Sequence, residues 1–83
     1  MNTQRLIDMP IEQARAVKWQ CGRDKYGPEF VGDPLEEFDG EMLDAMNYLD
    51  ECERRGMNLA DVRAAVLWIC SVMRQEHRDR RQA

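Results

Sequence analysis

The sequence predicts an all-α protein: three helices, the second and third folded back as an antiparallel hairpin, assembled into an oligomeric helical bundle. Three observations carry this expectation. The five valines and three isoleucines are scattered at helical spacing and build no β-branched run. Apolar positions recur at intervals of three and four. Pro and Gly stand where helices begin and end. With 83 residues, the chain is expected to form one small domain over 1–83, with a short N-terminal arm 1–9 and a basic C-terminal end 74–83.

The first helix is expected over 10–22. Pro10 and Glu12 suit an N-terminus, Ile11, Ala14, Val17 and Cys21 share one face, and Gly22 closes it. A segment rich in breakers follows, Gly27-Pro28 and then Gly32-Asp33-Pro34. The second helix, over 34–55, has Asp33 as N-cap, Pro34 as first helical residue and Glu36 at the third position of a capping box. Leu35, Phe38, Met42, Ala45, Leu49 and Cys52 form its apolar stripe; Arg54 and Arg55 suit the C-terminal dipole, and Gly56 ends it. The third helix, over 58–78, starts from Asn58 and turns Leu59, Val62, Val66, Ile69 and Met73 inward. The 56–58 link is short enough to force an antiparallel pair. The residues expected in the core are Leu35, Phe38, Met42, Leu49, Val62, Val66, Ile69 and Met73.

Helix three is apolar on nearly every side, because Ala65, Leu67, Trp68, Cys70 and Val72 lie outside its inner stripe. Such a helix needs cover all round. A chain of this length buries only about 60–65% of its unfolded surface. A homo-oligomer is therefore expected, with Leu67, Trp68 and Val72 at the interface and hairpins pairing into a four-helix core; the plainer alternative is that Leu67 and Trp68 pack under helix one.

Composition narrows the function classes. The longest apolar run, Ala64 to Met73, is ten residues and includes Ser71, too short for a membrane span. The first residues lack the apolar core of a signal peptide. A soluble cytoplasmic protein is expected. The odd set Cys21, Cys52 and Cys70 contains no C-x-x-C pair, so free thiols are favoured over a zinc site shared with His77, the single histidine.

The net charge of −4 conceals a segregated pattern: residues 29–53 hold ten acids and no Lys or Arg, with basic residues in excess before and after. An acidic block on a patterned helix points to a cation or a basic surface, and argues against direct nucleic-acid binding by that helix. At 100° per residue, Glu37, Glu41, Asp44 and Tyr48 fall on one strip beside the apolar stripe of helix two. A hard divalent cation such as Mg²⁺ would relieve the repulsion of the three carboxylates. The plainer reading is a solvated acidic face compensated by Arg15, Lys18 or Arg63. Gly40 costs about 1 kcal/mol in mid-helix and marks either a close approach to the backbone or a neutral substitution.

The segment from Asp33 to Leu49, with its Glu41-Met-Leu-Asp44 motif followed by Ala-Met-Asn-Tyr-Leu, resembles the second metal-binding helix of the MazG-like, all-α nucleotide pyrophosphohydrolases. Lys25-Tyr-Gly27 is similar to small MazG-like proteins of bacteriophages, and the resemblance covers about residues 25–49. It implies a helical bundle, oligomerisation, Mg²⁺ held by carboxylates, and hydrolysis of a nucleoside triphosphate to monophosphate and pyrophosphate. The metal ligands here would be Glu37, Glu41 and Asp44, and Lys18, Arg23 and Lys25 would neutralise phosphate. The family's earlier carboxylate set, E-E-x-x-E, has no counterpart in place. Helix one offers only Glu12, and Glu36-Glu37 is followed by Gly40 where the third acid belongs. Two further classes stay open. One is a small phage-encoded protein in the host cytoplasm that docks on a bacterial defence nuclease, transcription factor or motor ATPase and inhibits it. The other is a structural helical module.

Overall fold

The computed structural model describes residues 4–27 and 29–82. The chain divides between Val31 and Gly32 into two compact units.

In the first unit a 3-10 turn, Leu6–Asp8, precedes α1, Ile11–Tyr26. Pro10 stands just ahead of α1, and its carbonyl accepts the Ala14 N–H at 2.9 Å. The helix runs through Gly22, where closure was expected, and ends four residues later. Gly22 has a helical backbone, whereas Gly27 has φ +92°, a conformation that side chains other than glycine resist. Its N–H bonds to the Arg23 carbonyl at 2.8 Å and closes α1. Local pairs lace the exposed surface: Arg15 to Glu12 at 3.2 Å and Gln20 to Asp24 at 2.9 Å. No residue of α1 is buried.

The second unit is the expected antiparallel hairpin of α2, Pro34–Arg54, and α3, Ala60–Gln82. Asp33 caps α2 as its sequence position requires, its Oδ1 accepting the Leu35 N–H at 2.9 Å. At the other end the Gly56 N–H bonds to the Glu53 carbonyl at 2.9 Å, and the Met57 N–H to the Cys52 carbonyl at 3.1 Å. That pair of bonds is a Schellman closure, with Gly56 at φ +93°. Asn58 Oδ1 then accepts the Ala60 N–H at 3.4 Å, and α3 starts there. Helix three extends past 78 to Gln82, because Arg80 and Arg81 favour its C-terminal dipole and Arg78 and Arg80 reach back to Gln75 and Glu76.

The seam between the helices differs in one respect from the predicted stripes. On α3 the less exposed positions are Leu59, Arg63, Val66, Cys70, Met73 and His77; on α2 they include Leu35, Asp39, Met42, Met46 and Leu49. Both sets advance by alternating threes and fours, the spacing of a seam shared by two antiparallel helices. Leu49 and Met73, at 8% and 9% exposure, are the buried hydrophobic residues. Leu35, Met42 and Val66 are half-buried. Phe38, Val62 and Ile69, expected in the core, retain 41%, 47% and 37% exposure. Two helices cover only the residues on their shared seam, and Phe38, Val62 and Ile69 lie on its flank. Arg63 and Arg74 pair with α2 carboxylates across the seam.

Candidate functional site

The two sides of the hairpin differ in chemistry. On one side, Arg63 Nη2 donates to Asp50 Oδ1 at 2.6 Å and its Nε to Glu53 Oε1 at 2.9 Å. One turn from the open end, Arg74 makes a two-pronged contact with Asp39, Nε to Oδ1 at 2.8 Å and Nη2 to Oδ2 at 2.9 Å. The Arg74 hydrogen bond holds the Asp39 carboxyl below its usual value against a smaller opposing effect of desolvation. The same bond raises Arg74, and the bonds to Glu53 and then Asp50 raise Arg63.

At the open end His77 Nε2 lies 3.8 Å from Asp33 Oδ2 and 3.7 Å from Glu36 Oε1. Glu36 thus faces across the hairpin, although the capping box would turn it back on its own helix. Among the described residues these three form the group whose donor atoms fall within 4.8 Å of one another. The sequence-based reading missed it. The signal was available: in an antiparallel pair, a histidine near the end of helix three must lie opposite the cap of helix two. An imidazole and two carboxylates are donors for a divalent cation. Here, however, Asp33 Oδ1 is engaged by the cap, and the positive end of the α2 dipole opposes a cation at this point. The contact sets the late part of α3 against the start of α2.

Glu37, Glu41 and Asp44 are all exposed on α2 and do not join this group. Among the described residues no Lys, Arg or His approaches their carboxylates within 4 Å. Arg15 pairs with Glu12, and Arg63 with Asp50 and Glu53, so neither provides the compensation weighed from the sequence. Lys18, Arg23 and Lys25 belong to the first unit. Lys18 lines a shallow depression with Glu12, Arg15 and Trp19, and Lys25 Nζ sits 5.2 Å above the Tyr26 ring. Gly40 is open: among the described residues a Cβ there would meet nothing within 4 Å.

The three cysteines are free thiols. Cys52 lies in the last turn of α2 and His77 near the far end of α3, about 25 Å along the hairpin at 1.5 Å per residue, so they share no metal. Leu67, Trp68 and Val72 are exposed, as an interface would require. They do not form one face: Leu67 is one residue, or about 100°, from Trp68 and lies on the ion-paired side with Arg74 and Arg78. None of the helices is long and apolar enough to cross a membrane, among the described residues. No family model, curated protein or solved structure matches the chain.

Proposed function

We propose that the protein is a phage-type, MazG-like nucleotide-binding helical module, a Mg²⁺-dependent pyrophosphohydrolase or a degenerate relative that binds without turnover. The observation that supports this reading is the selective neutrality of the hairpin. Asp39, Asp50, Glu51 and Glu53 have arginine partners, whereas among the described residues Glu37, Glu41 and Asp44, spaced along one strip of α2, have none. Mg²⁺ would supply the missing positive charge, polarise the phosphates and activate water. Acids of a second copy would complete its shell. The test is thermal stability of the wild type and Glu41→Gln with and without millimolar Mg²⁺ and nucleoside triphosphate. A Mg²⁺-dependent rise in the wild type, lost in the variant, is expected. Absence of that rise in the wild type refutes the metal site.

A second reading, a small phage-encoded protein that docks on and inhibits a bacterial host protein, is favoured by a separate observation. Phe38, Val62, Trp68, Ile69 and Val72 are exposed on a hairpin with little buried core of its own. Exposed apolar surface rimmed by polar residues is characteristic of protein-binding sites.

A further inference from the structure

The apolar residues flanking the seam are not scattered. On α2, Phe38, Ala45 and Cys52 each stand one position before Asp39, Met46 and Glu53. On α3, Val62 and Ile69 each stand one position before Arg63 and Cys70. Stepping back one residue carries a side chain about 100° round a helix, off the seam. In an antiparallel pair that step leads to the same side on both helices. Phe38, Ala45, Cys52, Val62 and Ile69 therefore line one side of the hairpin, extended by Ala65 and Val72. The arginine–carboxylate bonds of Arg63 and Arg74 occupy the other side. Phe38, Val62, Ile69 and Val72 remain between about a third and a half exposed.

The margins of this face are predominantly acidic, with Arg80 and Arg81 lining its open end beside Phe38. Glu37, Glu41 and Asp44 follow its α2 edge; Asp61, Glu76 and Asp79 follow its α3 edge at helical spacing from Ala65 and Val72. The nearest cation on the α3 edge, Arg80, is held by Glu76 at 3.5 Å. A second copy of the same face would bring acid rim against acid rim and is disfavoured when no divalent cation lies between them.

We infer that this face receives an amphipathic basic helix of a partner protein. The partner's apolar stripe would lie between Phe38 and Val72, and its flanking Lys or Arg side chains would meet the two acidic margins. This rests on the protein-docking reading and names the chemistry of its partner. It is helix-in-groove recognition, with apolar anchors at threes and fours and the rim charges setting sign and register.

The test uses the whole protein and two synthetic 18-residue helical peptides with the same leucine stripe, one flanked by lysine and one by glutamate, titrated by calorimetry in metal-free buffer. The lysine peptide is expected to bind at least tenfold more tightly than the glutamate peptide. Val72→Glu separates docking from plain charge attraction. It adds a negative charge, so attraction alone would strengthen lysine-peptide binding, whereas loss of the apolar contact weakens it at least tenfold. Ala65→Glu provides the same discrimination if Val72→Glu loses helicity by circular dichroism. Equal or preferential binding of the glutamate peptide overturns the basic partner and leaves protein docking standing. Unchanged or tighter lysine-peptide binding by the variants overturns the face. Metal-free self-association that masks Ile69 and Val72 overturns it in favour of a second copy. Binding of neither peptide overturns both the inference and the docking reading.

Discussion

Leu49→Ala tests the seam most directly. Leu49 is 8% exposed on the seam of α2 and α3, and Met73 is buried likewise at 9%. Truncation to alanine removes three methylene equivalents, worth about 2.4 kcal/mol at roughly 0.8 kcal/mol each. The seam is open at its edges, so solvent and neighbouring side chains relax into the space. The cost should therefore lie near the lower end of the 2–5 kcal/mol range for buried leucines, at about 2–3 kcal/mol. A hairpin of this size is expected to be stable by only about 3–8 kcal/mol at 0.05–0.15 kcal/mol per residue. One substitution would remove about a quarter or more of that. Ile69→Ala deletes the same number of carbons at a site 37% exposed, so its cost should be about 1.5 kcal/mol or less. Urea unfolding followed by circular dichroism at 222 nm, at several protein concentrations, reads both values. A loss below 1 kcal/mol for Leu49→Ala would refute the seam. An Ile69→Ala cost equal to that of Leu49→Ala, independent of concentration, would show that α3 turns the stripe predicted from spacing inward.

Other expectations follow from single contacts. The Asp39 carboxyl is depressed from 3.8, so the stability it contributes is present above that value and is lost as pH falls through its lower folded-state value. Acid unfolding of Arg74→Gln should lack this component, and superimposable acid transitions for wild type and variant would contradict it. Asp33→Ala removes the cap of α2 and should cost about 1 kcal/mol in urea titrations, with Asp33→Asn nearly neutral. Gly40→Ala should stabilise the hairpin by about 1 kcal/mol, since the new methyl group meets nothing; a loss of stability would mean that Gly40 contacts a neighbour in solution. Gly56→Ala should cost about 1–2 kcal/mol through its positive φ, read as a lower urea midpoint.

What the sequence determined by itself is local. Asp33-Pro34 at the start of α2 and Gly56 at its end each carry their function in one or two residues, because caps and left-handed turns are set by nearby backbone geometry. The spacing of Leu35, Met42, Leu49, Val66 and Met73 was enough to show a hairpin, because period and link length leave antiparallel packing as the available arrangement. Gly22 shows the limit of the local signal: a glycine ends a helix only where the backbone turns left-handed, and here that residue is Gly27. The tertiary structure decided what depends on the partner helix. Spacing alone could not separate Ile69 from Cys70 as the inward residue. Cys70 faces the seam in the same arrangement in which Arg63 and Arg74 reach Asp50, Glu53 and Asp39 across it. The pairing of the two helices places Phe38, Ile69 and Val72 on one side of the hairpin, while Leu67, about 100° from Trp68 on α3, falls on the other. It also brings His77 opposite Asp33 and Glu36, 41–44 residues away along the chain, a juxtaposition that only the antiparallel register creates.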